Sequence, residues 1–131
     1  MNFRFASHRH SPSRVTAELH GRLDTQTHSD ADVRFDALVE ENPAMTTLII
    51  DLGGLEYISS SGLRSIFRVR KVVADRLGGR TLLVNMRPPV RKVFEIVKAV
   101  PIHEVFASEA ELEAYLDTMQ RRYLSDEDGL P

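Results

Sequence analysis

No cysteine occurs anywhere in the 131-residue chain. That removes disulfides, thiolate nucleophiles and cysteine-ligated metals together, and it fits a reducing compartment. Long apolar runs are missing too. Nothing approaches the roughly 20 residues that a membrane-spanning helix needs, and residues 1–10 alternate apolar with polar side chains, unlike the continuous apolar stretch of a signal peptide. Nor does one sign of charge dominate. Lys and Arg number 17 against 19 Asp and Glu, a formal net charge of −2, which gives no electrostatic reason to bind nucleic acid or an anionic membrane. No internal repeat or interdomain linker breaks the pattern. What is present is 42% hydrophobic and 27% charged residues, the balance of a soluble globular chain long enough to bury one core. The expectation is one cytoplasmic domain over 1–122, with the acidic, glycine-containing 123–131 as a flexible tail.

Periodicity then divides the chain. Phe3 and Phe5 alternate with polar neighbours, and so do Val15, Ala17 and Leu19 after a turn over 8–13, which predicts an antiparallel hairpin. Residues 21–25 read as the end of the second strand. A helix is predicted over 29–40, with Ala31, Phe35, Leu38 and Val39 at helical spacing, Ser29 or Asp30 as its cap and Asn42-Pro43 as its stop. The apolar, β-branched run over 47–52 predicts a central strand buried on both faces. The next helix is expected from Gly62 or Leu63 to Leu77, ended by Gly78-Gly79. Leu63, Ile66, Phe67, Val73, Ala74 and Leu77 can face the sheet, while Arg64, Arg68, Lys71 and Asp75 share another face.

Residues 81–85 form a further buried strand, and Pro88-Pro89 opens a helix with Val90, Val93, Phe94 and Val97 as its stripe. Val105-Phe106 is a short last strand. Ser108 with Glu111 makes a capping-box pattern ahead of Leu112, Tyr115, Leu116 and Met119. Strands alternating with helices imply right-handed crossovers between parallel strands, and the leading hairpin makes the sheet mixed. The fold class is therefore α/β, a small mixed sheet packed against about four helices.

The segment with chemical content is 51–64, where a buried strand ends and Ser59, Ser60 and Ser61 stand immediately before a helix. A helix start exposes unpaired N–H groups and a partial positive charge, so a phosphate there is electrostatically accepted. From position alone the plainer reading is favoured, a serine acting as N-cap and contributing about 1 kcal/mol. Catalytic alternatives lack their spacing. Gly-x-Ser-x-Gly is absent, and nothing nominates His20, His28 or His103 as a base. Gly78-Gly79 lacks the Lys-Ser/Thr of a phosphate loop and precedes a strand. His8 and His10 have no obvious carboxylate partner, and His103-Glu104 lacks a second histidine. No catalytic residue, metal or cofactor is expected.

Taken in order, these pieces resemble the STAS domain of the anti-sigma factor antagonist family, over about 3–116. The closest likeness is the strand over 48–52 leading to Ile58-Ser59-Ser60-Ser61-Gly62-Leu63, similar to the family's strand followed by Asp-Ser-Ser-Gly-Leu. Leu19-His20-Gly21-Arg22-Leu23-Asp24 is similar to its Gly-Glu-Leu-Asp, and Gly78-Gly79-Arg80 leads into Leu82-Leu83-Val84 as in the family, with Val90-Arg91-Lys92-Val93-Phe94 after it. The resemblance implies a STAS fold and no enzymatic activity. It implies Ser60 as phosphoacceptor, two positions before the glycine, with Asp24 nearby. The candidate partner-binding set is Asp24, Ser59, Ser61 and Gly62, with Arg64, Arg68 and Lys71 read either as a solvated helix face or as part of the docking surface. Two departures stand out: Ser59 where familiar members have aspartate, which makes Ser59 a secondary acceptor candidate, and Arg22 in place of glutamate.

The partner implied by the resemblance is an anti-sigma factor that is also a serine/threonine kinase and carries the ATP and Mg²⁺ sites. A serine phosphatase would reset the switch. The alternative within the fold is an output other than a sigma factor, such as secretion, a second-messenger enzyme or a sensory complex.

Overall fold

The computed structural model describes residues 3–97, 104–108 and 110–118. Its five strands form one sheet in the order β1-β2-β3-β4-β5. β1 (Phe3–Ser11) and β2 (Arg14–Leu23) are the antiparallel hairpin, and β3 (Thr47–Ile58), β4 (Arg80–Val84) and β5 (Val105–Phe106) continue from it in parallel. Each parallel step passes through a helix: α1 (His28–Glu41), α2 (Ser60–Leu77) and α3 (Pro88–Val97). A fourth helix, α4, covers 110–118. Spatial order follows chain order because short crossovers lay successive strands side by side.

The apolar run of β3 is explained by its two covered faces. Side chains alternate along a strand, so Leu48, Ile50 and Leu52 meet Phe35 of α1, Ile66 and Val73 of α2 and Phe94 of α3 in the main core. Ile49 points the other way and packs with Leu82, Val84, Phe106 and Leu112 beneath α4. Complete burial of a side chain such as Ile50 contributes about 1.5–3 kcal/mol. α4 starts as its sequence predicts: the Glu111 N–H donates to Ser108 Oγ at 3.2 Å, and the Glu111 carboxylate accepts from the Ala107 N–H at 3.4 Å. At the end of α2, Gly78 is left-handed with φ 62°, and the N–H groups of Gly78 and Gly79 close onto Ala74 and Val73.

Several boundaries differ from those the periodicity predicts. β1 continues to Ser11, since residues 7–9 pair with β2 even though their side chains are polar. β3 continues past Leu52 to Ile58 because β2 itself runs on to Leu23 and pairs with it, through His20↔Gly54, Gly21↔Leu55, Arg22↔Tyr57 and Leu23↔Ile58. Irregularities between Glu18 and His20 and between Gly21 and Arg22 absorb the glycine-rich stretch without ending the strand. α1 begins at His28, so Ser29 and Asp30 lie inside its first turn and Thr27 takes the cap position. On α2, Val69 is buried and Ala74 exposed, and on α3 Val97 is exposed. Met119 and the predicted tail over 123–131 lie outside the described residues.

Candidate functional site

Where β3 gives way to α2, the three serines have three different environments. Ser59 is extended (φ −97°, ψ 177°), and its Oγ accepts from the Gly62 N–H at 3.2 Å, which makes it the N-cap. Its own N–H donates to the Leu23 carbonyl at 2.9 Å, and its carbonyl accepts from the Leu63 N–H at 2.9 Å. Ser59 thus ties the start of α2 to the end of β2. Ser61 is buried, and its Oγ accepts from Arg64 Nη2 at 3.3 Å. Ser60 is exposed, and its hydroxyl has no hydrogen bond among the described residues. α2 therefore begins at Ser60 and not at Gly62 or Leu63, because the cap lies one residue ahead of it.

Gly62 makes this junction possible. A Cβ there would lie 2.5 Å from the Leu23 carbonyl oxygen, 2.8 Å from Ile58 Cγ1 and 2.9 Å from Leu23 Cγ. Only a residue without a side chain lets the helix start rest on the paired ends of β2 and β3.

Asp24 follows Leu23, so the same junction places it beside the start of α2. Its Oδ1 accepts from the N–H groups of Gln26 at 3.0 Å and Thr27 at 3.2 Å, while Oδ2 lies 3.7 Å from Arg22 Nε. The Thr27 hydroxyl accepts from the Asp24 N–H at 2.9 Å and donates to the Arg22 carbonyl at 2.8 Å. The Gln26 N–H above all, with help from Thr27 and Arg22, holds the Asp24 carboxyl below its ordinary pKa of 3.8. A carboxyl depressed in the folded state stabilises the fold above its unfolded pKa and loses that contribution as pH falls through the folded value. The turn is therefore expected to hold at neutral pH and to loosen only in acid below 3.8. Following the Gln26 amide proton through an acid titration checks this; an inflection at or above 3.8 would contradict it.

Beside Asp24, the Arg22 guanidinium lies over the Tyr57 ring, 4.2 Å from its centroid. The two residues are cross-strand partners of β2 and β3, and Tyr57 is 42% exposed. Tyr57 was not singled out from the sequence, where it lies beyond the strand predicted over 47–52. An aromatic side chain just ahead of the serine run was the available signal.

The structure brings Asp24, Ser59, Ser60, Ser61, Gly62 and Arg64 to one end of the sheet. Arg68 and Lys71 lie farther along α2 and are already paired. Arg68 donates to both carboxylate oxygens of Asp36 on α1, at 2.8 and 3.0 Å, and Lys71 donates to Asp75 at 2.9 Å. Among the described residues no group of three or more His, Cys, Asp or Glu side chains could hold a metal ion. No described helix is long and apolar enough to cross a membrane.

A sheet of this order, a leading hairpin and a serine-rich, glycine-locked helix start define a recognised domain. The chain belongs to the STAS domain family, whose model matches residues 7–112. It is similar to the anti-sigma factor antagonist BtrV of Bordetella bronchiseptica, with 39% identity over 75 residues, 56% of this chain and 64% of BtrV. The match thus spans slightly less than two thirds of that relative. The anti-sigma F factor antagonist of Lysinibacillus sphaericus is 34% identical over 82 residues, 62% of this chain and 68% of that protein. Among solved structures, the anti-sigma factor antagonist SpoIIAA in its unphosphorylated form superposes with a TM-score of 0.72 at 26% identity, covering 88% of this chain and 97% of SpoIIAA.

Proposed function

We propose that the chain is an anti-sigma factor antagonist, a cytoplasmic regulator and not an enzyme, that works as a phosphorylation-controlled partner switch. The observation that carries this reading is the division of labour among the serines. Ser59 is committed to the cap, Ser61 is buried, and Ser60 alone presents a free hydroxyl on a rigid helix start. Both relatives named above carry the name anti-sigma factor antagonist, and the similar SpoIIAA structure is described by its phosphorylation state.

In the unphosphorylated form the domain binds an anti-sigma factor that is also a serine/threonine kinase, and the kinase's sigma factor is set free. Ser60 Oγ then attacks the γ-phosphorus of the kinase-bound ATP. The O–P bond forms as the bond to ADP breaks, and the hydroxyl proton leaves to a base on the kinase. Phosphoserine adds a charge of about −1.5 to −2 at pH 7. Ser59 and Gly62 hold the site rigidly, so the charge falls on the docked surface and ends binding. A serine phosphatase hydrolyses the ester and restores the binding form. The ATP and Mg²⁺ belong to the kinase, so this chain needs no cofactor.

Ser60→Ala is expected to retain the kinase partner when ATP is added, whereas the parent is released; immobilised bait and a wash with ATP measure it. Release of the alanine protein would move the acceptor elsewhere. Ser59→Ala should instead act on stability, lowering it by about 1 kcal/mol through loss of the cap while leaving ATP-dependent release intact. Chemical denaturation and the same wash separate the two serines.

A further inference from the structure

On an α-helix, residues four apart stand one above the other, with Cβ atoms about 5–6 Å apart. Ser60 opens α2, and Arg64 lies one turn along it. The cations on this side of the helix are not equivalent. Arg68 is neutralised by a two-bond pair with Asp36, and Lys71 is paired with Asp75. Arg64 is exposed and has no carboxylate partner among the described residues. Its one bond among the described residues runs from Nη2 to the Ser61 hydroxyl at 3.3 Å, which holds the guanidinium against the first turn of the helix that Ser60 opens.

On the footing that Ser60 is the acceptor, we propose that Arg64 receives the phosphoryl group within the same molecule, exchanging its neutral hydroxyl partner for a dianion. A guanidinium fork matches two phosphate oxygens, and charge-assisted bonds of this kind are stronger than a bond to a neutral hydroxyl. The exchange needs only rotation of an exposed side chain. It also changes what modification means for a docked partner. Before phosphorylation the helix start offers an unpaired cation. Afterwards that cation is neutralised internally, and the remaining negative charge is what the partner meets. The switch therefore removes an attractive group and adds a repulsive one in a single event. Arg64 is a positioning residue for the modified state and takes no part in the transfer.

The test needs no partner. Phosphoserine is incorporated at position 60 during translation into the full chain, and its second ionisation is followed by ³¹P NMR in the parent, Arg64→Gln and Arg68→Gln. Both substitutions remove one positive charge and leave the helix-start N–H groups in place; they differ in the position of the lost cation and in that Arg68→Gln also leaves Asp36 without its partner. The phosphate is expected to titrate about 0.3 pH unit higher in Arg64→Gln than in the parent, the scale of one exposed ion pair at this spacing. Arg68→Gln is expected to titrate as the parent does, and Arg64→Lys to fall between. The proposal is overturned if Arg64→Gln titrates like the parent, or if Arg68→Gln shifts as far. Because the phosphate is installed without a kinase, the result stands even where a cell modifies another serine. That second finding would defeat the switch at Ser60 and leave the clamp measurement readable.

Discussion

Replacing Gly62 by alanine is expected to destabilise the domain by about 2 kcal/mol, against the usual direction of such a change in a helix. Alanine ordinarily gains up to about 1 kcal/mol over glycine in a helix interior, because it restricts the unfolded chain and leaves less backbone exposed. Here the added methyl would meet the Leu23 carbonyl oxygen at 2.5 Å, and that oxygen is main chain. The other two contacts are with Ile58 and Leu23, both almost fully buried. None of the three can step aside as an exposed side chain would. Relief requires the start of α2 to lift from the end of β2, and the first bond lost is the one from the Ser59 N–H to Leu23. Urea denaturation of the variant and parent measures the effect, and a fall in partner affinity should accompany it, because the same movement tilts Ser60. A variant as stable as the parent would show that the junction is looser than the contacts imply.

A phosphate on Ser60 is expected to weaken binding of the anti-sigma kinase by about 100-fold or more, equivalent to about 2.7 kcal/mol. The magnitude follows from burying a dianion at a docked surface, where a single guanidinium offsets only part of its charge, since desolvated charge that is left uncompensated commonly costs several kcal/mol. Ser60→Asp should lose less, because it carries one charge on a shorter side chain and cannot offer three phosphate oxygens. Isothermal titration of the kinase with the unmodified, phosphoserine and aspartate forms at one salt concentration measures all three. Phosphoserine binding within a few-fold of the unmodified protein would remove the electrostatic basis of the switch.

Much of this molecule is legible in its residue pattern, and the reason differs from element to element. Helix α3 starts where two prolines permit a first turn, and α4 starts at its capping box. The buried face of α1 is Ala31, Phe35, Leu38 and Val39, as helical spacing predicts. These are short-range choices made by neighbours in the chain. The extension of β3 over 53–58 was not legible, because the apolar, β-branched run ends at Leu52 and two glycines follow it. What keeps them in a strand is β2, a separate segment that supplies the hydrogen-bond ladder. Ala74 and Val97 failed as core residues for a related reason: helical spacing gives the stripe, but the neighbouring elements decide how far along it burial extends.

Residue order is enough to set the alternation of strands and helices, the mixed sheet and the position of a serine run between a central strand and a helix. Periodicity, capping and turn chemistry act over a few residues, and such signals survive in one dimension. Tertiary packing settles the rest: which of the three serines is free, why residue 62 has no side chain and which α2 cation lacks a carboxylate partner among the described residues. Ser59 is occupied because Leu23 lies across from it, and Gly62 is required because the Leu23 carbonyl is there too. Arg68 is neutralised and Arg64 is not, because Asp36 of α1 comes to rest beside one of them only. Each of these outcomes depends on a contact between residues distant in the chain, and packing alone brings them together.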